Sequence, residues 1–211
     1  MTYSKKSNYE ITKEAMEKKF LEYDQEAMIC KFHLKQDERF LYIPFVGEEY
    51  RVDRRTGKTE YASEKEGCYV PGDFNASMTI FDVLCCSQKN CCLSGNFVSI
   101  GAVKGFSAAS APGEELFARE ALAFAGKASR LKAACERLGG VPWKPGDVAF
   151  RLPLFEFMDV ILQFWDADEE FDPVIRVLWD ENILDFMHYE TTFYATSHLL
   201  GRLKRLADDS R

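Results

Sequence analysis

Three β-prone runs crowd the last third of the chain: VAFRLPLFEF from Val148, DVILQFWD from Asp159 and VIRVLWD from Val174. Their valine, isoleucine and aromatic side chains suit a pleated, half-buried surface. The segment DADEEFDP between the last two suits the turn of an antiparallel hairpin. Shorter extended runs stand near the other end: FLYIPF (Phe40 to Phe45), EYRVD after Gly47, and KTEYA after RRTG. Each break carries a glycine suited to a tight turn, so these runs predict a small antiparallel meander. A chain with short-linked strands at both ends has to build a mainly antiparallel sheet.

Helical spacing fills the rest. Met16, Phe20, Tyr23, Ala27 and Cys30 recur at helical intervals and predict one amphipathic helix from Tyr9 to Cys30 with that stripe in the core. After Pro71, Gly72 and Asp73, Asn75 is a candidate cap for a short helix whose face is Ser77, Ile80, Phe81 and Leu84. Phe97 to Val103 reads as a further strand. Pro112 to Leu138 is the clearest helix, with Phe117, Phe124, Ala128, Leu131, Cys135 and Leu138 on one sector, stopped by Gly139 and Gly140. A last helix, Thr191 to Ala207, presents Phe193, Thr196, Leu200 and Leu203 on one side, and His198 falls on the side predicted to face solvent. No repeat or low-complexity linker divides the chain. The expected architecture is α+β, a mainly antiparallel sheet packed against several helices in one domain over residues 1–211.

Composition narrows the function. A net charge of −7 disfavours broad nucleic-acid binding, which needs clustered Lys and Arg. The charged N-terminus MTYSKKSNYEITKEAMEKKF lacks the apolar stretch of a signal peptide, and no run approaches membrane-spanning length, so a cytoplasmic protein without a membrane partner is expected. Seven cysteines, an odd number, fit reduced thiols better than a disulfide framework.

Four of those cysteines lie in VLCCSQKNCC: Cys85, Cys86, Cys91 and Cys92. The separation of Cys86 from Cys91 is at the outer limit of zinc-knuckle spacing, so zinc or an iron-sulfur cluster are the cofactors to weigh. Adjacent cysteines seldom both reach one tetrahedral ion, and free cysteine often packs as a small hydrophobe. A regulatory thiol is the third reading. Cys30 and Cys135 sit on core stripes and are expected to be structural.

The acidic turn places five carboxylates among the seven residues Asp166 to Asp172, including Asp168, Glu169 and Glu170. It lacks the glycine and the length of a calcium loop, so a solvated turn with Phe171 and Pro173 folded back on the sheet is expected, with a partner-binding or cation role as the alternative. Of three histidines, His33 suits a helix cap. His188, beside Tyr189 and Glu190, is the better candidate, as a buried hydrogen-bonding residue or as a catalyst. Phosphate-loop, dinucleotide and hydrolase signatures are absent, and Glu114 and Glu115 disfavour an anion at the start of the middle helix.

The stretch ILQFWDADEEFDPVIRVLWDENILDFMHYETTFYATSHLL resembles a bacterial and archaeal family known as domain of unknown function 3786. The features that carry the resemblance are Trp165, the acidic turn Asp168 to Phe171 with Pro173, Asp180, and the pair His188 and Tyr189. The hairpin YIPFVGEEYRVD and the segment Gly139 to Asp147 are similar too. The chain departs from that pattern at CCSQKNCC and at Val174, where the family more often has a second proline. The resemblance implies an origin in anaerobes and an accessory role near corrinoid or iron-sulfur metabolism, and it implies no activity. Three functions follow. The first is a non-catalytic binding or accessory module with an unknown protein or small-molecule partner, its surface built on Trp165, Phe171 and Trp179. The second is a metal or thiol protein using the four clustered cysteines, and the third an enzyme using His188 with carboxylates.

Overall fold

The two groups of extended runs meet in one sheet. The computed structural model describes residues 6–63, 65–106 and 117–209, and its fold is α+β. The N-terminal meander is β2 (Phe40–Phe45), β3 (Glu48–Asp53), β4 (Thr59–Ser63) and β5 (Cys68–Pro71), with β1 (Lys35–Gln36) paired to β2. The C-terminal group is β8 (Val148–Phe155), β9 (Met158–Trp165) and β10 (Val174–Asp180), with β7 (Val141–Pro142) on β8 and β6 (Phe97–Ser99) on β10. The main order is β5-β4-β3-β2-β8-β9-β10-β6, every pair antiparallel. Beyond Ser99 the expected strand gives way to a single 3-10 turn, Ile100–Ala102.

The β2–β3 hairpin turns on Val46 and Gly47, both at positive φ (48° and 70°), as a type I′ turn requires. Valine is rare in that region, and here Val46 is buried with its N–H donating to the Leu154 carbonyl at 2.9 Å. In β9 the residues Val160 to Phe164 are all buried, the near-continuous run expected of a strand covered on both faces. Gln163 is satisfied there by donating to the Pro145 carbonyl from the loop after β7.

The helices are α1 (Asn8–Phe20), α2 (Gln25–Phe32), α3 (Phe74–Cys86), α4 (Ala118–Phe124), α5 (Ala128–Arg137) and α6 (Tyr189–Asp208). The single helix expected over Tyr9 to Cys30 is two. Asp24 breaks it by accepting a hydrogen bond from the Ala27 N–H as the cap of α2, and the change of direction leaves Ala27 and Cys30 exposed rather than in the core. His33 closes α2 at φ 52°, the cap role expected of it. The middle helix divides at Gly126 (φ 68°), whose N–H is bound by Asp166, and its expected start at Pro112 lies outside the described residues, as do Glu114 and Glu115. The cap of α3 is Asp73, not Asn75.

His198 corrects a larger expectation. It is 4% exposed, because α6 packs against both α3 and α5 while its His198 side stacks on Phe45 of the sheet, with ring centroids 5.0 Å apart. A helix held on several sides has no solvent face at that position.

Candidate functional site

The apolar helix α3, buried from Ala76 to Leu84 except at Met78, emerges at its C-terminal end with Cys85 and Cys86. Successive helical residues diverge by about 100°, so the two thiols serve different surroundings. Cys85 lines a groove, and Cys86 meets Asp82 and His188.

The groove, of about 1040 Å³, lies between α2, the end of α3 and the loop that follows it. Met28, Leu84, Phe157 and Phe186 give it apolar walls, and Phe32 stacks on Phe157 at 4.7 Å. Four thiols line it: Cys30 from α2, Cys85 from α3, and Cys91 and Cys92 from the loop. Lys31 ties α2 to α3 by donating to the Ser87 carbonyl (3.1 Å), Ser87 Oγ (2.7 Å) and the Gln88 carbonyl (2.5 Å), a cation placed where a helix C-terminus favours one. Lys89 and His33 stand exposed at the rim. The loop is held from below: Gln88 Nε2 donates to Asp185 and Asn182 Nδ2 to the Cys92 carbonyl. Asp180, 2% exposed, accepts from the N–H groups of Ser94, Gly95 and Asn182.

On the other side of Cys86, Asp82 joins α3 to the start of α6. Its Oδ2 accepts from the His188 N–H (2.7 Å) and Thr191 Oγ1 (2.6 Å), and its Oδ1 faces His188 Nδ1 at 2.6 Å. The Asp82 side chain is 10% exposed and that of His188 66% exposed, so the histidine is neither the buried residue expected nor remote from solvent. One ligand atom each from Asp82, Cys86 and His188 lies within 4.8 Å of the others. A cavity of about 170 Å³, lined by Cys86, Leu184, Met187, His188 and Tyr189, opens beside them. Tyr189 stacks on Phe106 at 4.1 Å. Burial pushes the Cys85 thiol up to about 12 and the Cys86 thiol, which also bonds Asp82, up to about 11. All seven cysteines are free.

The structure separates the residues that the sequence grouped. Cys85, Cys91 and Cys92 face the groove while Cys86 turns to Asp82, so the four cysteines do not gather round one point, and among the described residues the one metal-competent group is Asp82, Cys86 and His188. Trp179 is 2% exposed and Phe171 69%, so Trp165, Phe171 and Trp179 share no surface. Trp165 packs under Arg176, 5.2 Å away, and Pro173 alone folds back on the sheet. Asp168, Glu169 and Glu170 form an exposed turn, in which Asp168 accepts from the N–H groups of Glu170 and Phe171 and is held below its ordinary carboxylate range by them. That turn and the pair His188 and Tyr189 lie beyond opposite ends of β10. Asp82 was missed in sequence, although Asp82 and Cys86 at i and i+4 share a helix face.

A second polar group is internal. His198 Nδ1 meets Asp73 Oδ2 at 3.0 Å, its Nε2 is 3.4 Å from Tyr50 Oη, and Glu48 Oε2 stands at 3.8 Å, within charge range but beyond a hydrogen bond. Arg202 pairs with Glu48 at 3.1 Å. Burial alone would lower the His198 pKa, but the two carboxylates outweigh it and raise it above the ordinary 6.5. Burial would raise Glu48 and Asp73, but His198 and the neighbouring arginines hold both below their ordinary range.

Among the described residues no helix is long and apolar enough to cross a membrane. No curated protein and no solved structure matches the chain. A family model does, over residues 24–202, a span holding both meanders, the groove and the Asp82 cluster, and by that match the chain belongs to the family described as domain of unknown function DUF3786.

Proposed function

We propose that this protein is a binding protein, without turnover of its own, for a small and mainly apolar molecule lodged in the groove between α2, α3 and the Ser87–Leu93 loop. The observation that carries this reading is the groove itself. Its volume of about 1040 Å³ is at the upper end of small-molecule sites, and its aromatic and aliphatic walls carry a few polar groups at the rim, as such sites do. Lys89 and His33 favour a ligand with an anionic end. The four thiols suit a cytoplasm that keeps them reduced, in keeping with an anaerobic origin and an accessory role beside redox-active partners, the chain acting as one domain. A net charge of −7 supports a partner other than nucleic acid or an anionic membrane.

The test uses the fluorescent apolar anion anilinonaphthalene sulfonate. The protein is expected to bind it saturably at one equivalent, and Ala27→Trp, which fills the groove from an exposed position on α2, is expected to abolish the signal with unchanged circular dichroism. Absence of saturable binding, or equal binding by Ala27→Trp, defeats the reading.

A further inference from the structure

The geometry points to a site for Zn²⁺, or a similar borderline transition-metal ion, formed by Asp82 Oδ1, Cys86 Sγ and His188 Nδ1. It stands independently of the groove. Asp82 and Cys86 are one turn apart on α3 and project from the same face, and His188 arrives from the residue before α6, so three donors converge from two elements that are packed together. One ligand atom from each of the three residues lies within 4.8 Å of the others, and Asp82 Oδ1 and His188 Nδ1 are 2.6 Å apart. One oxygen, one sulfur and one imidazole nitrogen are ligand types that zinc takes together.

The outer contacts favour ligation as well. Asp82 Oδ2 already accepts two hydrogen bonds, from the His188 N–H and Thr191 Oγ1, which fixes the carboxylate and leaves Oδ1 aimed at the imidazole. A tetrahedral ion with bonds of roughly 2.0–2.2 Å to N and O would hold those two atoms about 3.4 Å apart. The His188–Asp82 pair, at 2.6 Å, therefore has to widen, and an imidazole side chain 66% exposed is free to swing by that amount. On binding, the Cys86 thiol gives its proton to water, and the proton on His188 Nδ1 that bonds Asp82 leaves through water and is replaced by one on the exposed Nε2, so that the neutral imidazole ligates through Nδ1 and the ion replaces the His188–Asp82 hydrogen bond. Three protein ligands leave a fourth position, which the adjoining cavity of about 170 Å³ supplies with room for water or a small ligand. That is the ligand count of an open zinc site rather than a closed structural one.

The experiment is titration of the full chain, purified without oxygen, with Co²⁺ as a spectroscopic stand-in for Zn²⁺. One equivalent is expected to give a thiolate-to-cobalt charge-transfer band and the strong visible bands of tetrahedral coordination, both lost on adding Zn²⁺. Cys86→Ser is expected to remove the charge-transfer band. His188→Gln, a change at an exposed side chain, is expected to weaken binding by more than about 100-fold, beyond the loss of an outer-shell partner. The double variant Cys91→Ser with Cys92→Ser is expected to leave spectrum and affinity unchanged. No band in the native chain, a band that survives Cys86→Ser, or one that disappears with Cys91 and Cys92 overturns the site.

Discussion

Asp73 and His198 lock the beginning of α3 to the middle of α6. One carboxylate oxygen of Asp73 caps α3 through the Ala76 N–H at 2.8 Å, and the other meets His198 Nδ1 at 3.0 Å. Because the folded state raises the His198 pKa above 6.5, its contribution to stability is complete below that value and is lost as pH rises through the folded value. Asp73 and Glu48, held low, contribute above their ordinary carboxylate range and lose it in acid. Thermal melting is expected to peak on the mildly acidic side of neutrality and to fall as pH rises above 6.5 through the folded His198 value. His198→Gln should flatten the alkaline limb and cost about 3 kcal/mol, because it leaves the buried Glu48 with less compensation. A melting curve that is flat above pH 6.5 in the native protein would contradict this.

Gly57 is expected to resist substitution more than any surface loop residue. It turns β3 into β4 at φ 72°, and a Cβ there would meet the Glu17 carbonyl oxygen at 2.0 Å. Neither the backbone of α1 nor a left-handed alanine yields easily, so Gly57→Ala should lose more than about 2 kcal/mol in urea denaturation. An unchanged midpoint would mean that α1 does not pack on this turn.

The thiols should react in an order set by exposure and acidity. Cys30, Cys68 and Cys92 are exposed, whereas Cys135 is fully buried and pushed up to about 12 and Cys85 is pushed equally high. Only the thiolate alkylates, so iodoacetamide at pH 8 should label the first three promptly and Cys85 and Cys135 only on unfolding. Peptide mass spectrometry reads the order, and early labelling of Cys135 would refute it.

Asp180 is the post on which the thiol-bearing loop hangs. Asp180→Ala would leave the Ser94, Gly95 and Asn182 amides without their charged acceptor, a loss of roughly 1.5–3 kcal/mol, the range of a hydrogen bond to a charged group. Hydrogen exchange should quicken around Cys91 to Asn96 while the β8–β9 pair keeps its protection. Protection unchanged at Gly95 would show that the loop is held by other means.

The strands could be found from sequence because residues such as Tyr50 and Val52, or Leu152 and Leu154, alternate with partly or fully exposed neighbours in the period of a half-buried sheet. Breaks in helices were signalled and missed: Asp24 is a capping residue inside an apparently continuous stripe, and Gly126 interrupts the middle helix. His198 was placed in solvent because a helical wheel measures angle from one stripe, whereas burial of α6 on several sides depends on where α3, α5 and Phe45 arrive. The Asp82 cluster was half available, since its two α3 members share a face. Its third member comes from His188, brought in by the packing of α6, and no spacing rule reaches that far.

The join between the two meanders also bears on how the chain reaches this state. Strands β1 to β5 and β7 to β10 pair with sequence neighbours, but β6 joins β10 from far along the chain, and β2 meets β8 through the single register pair Phe45 and Phe155, beside the Val46 N–H to Leu154 bond. Closing that seam brings together segments from opposite ends of the sequence, so its loop entropy is spent before its contacts give anything back. Each meander can therefore assemble early and locally, turn at Val46 included, whereas the Phe45–Phe155 pair and the Val46 N–H to Leu154 bond that close the seam are expected to form late.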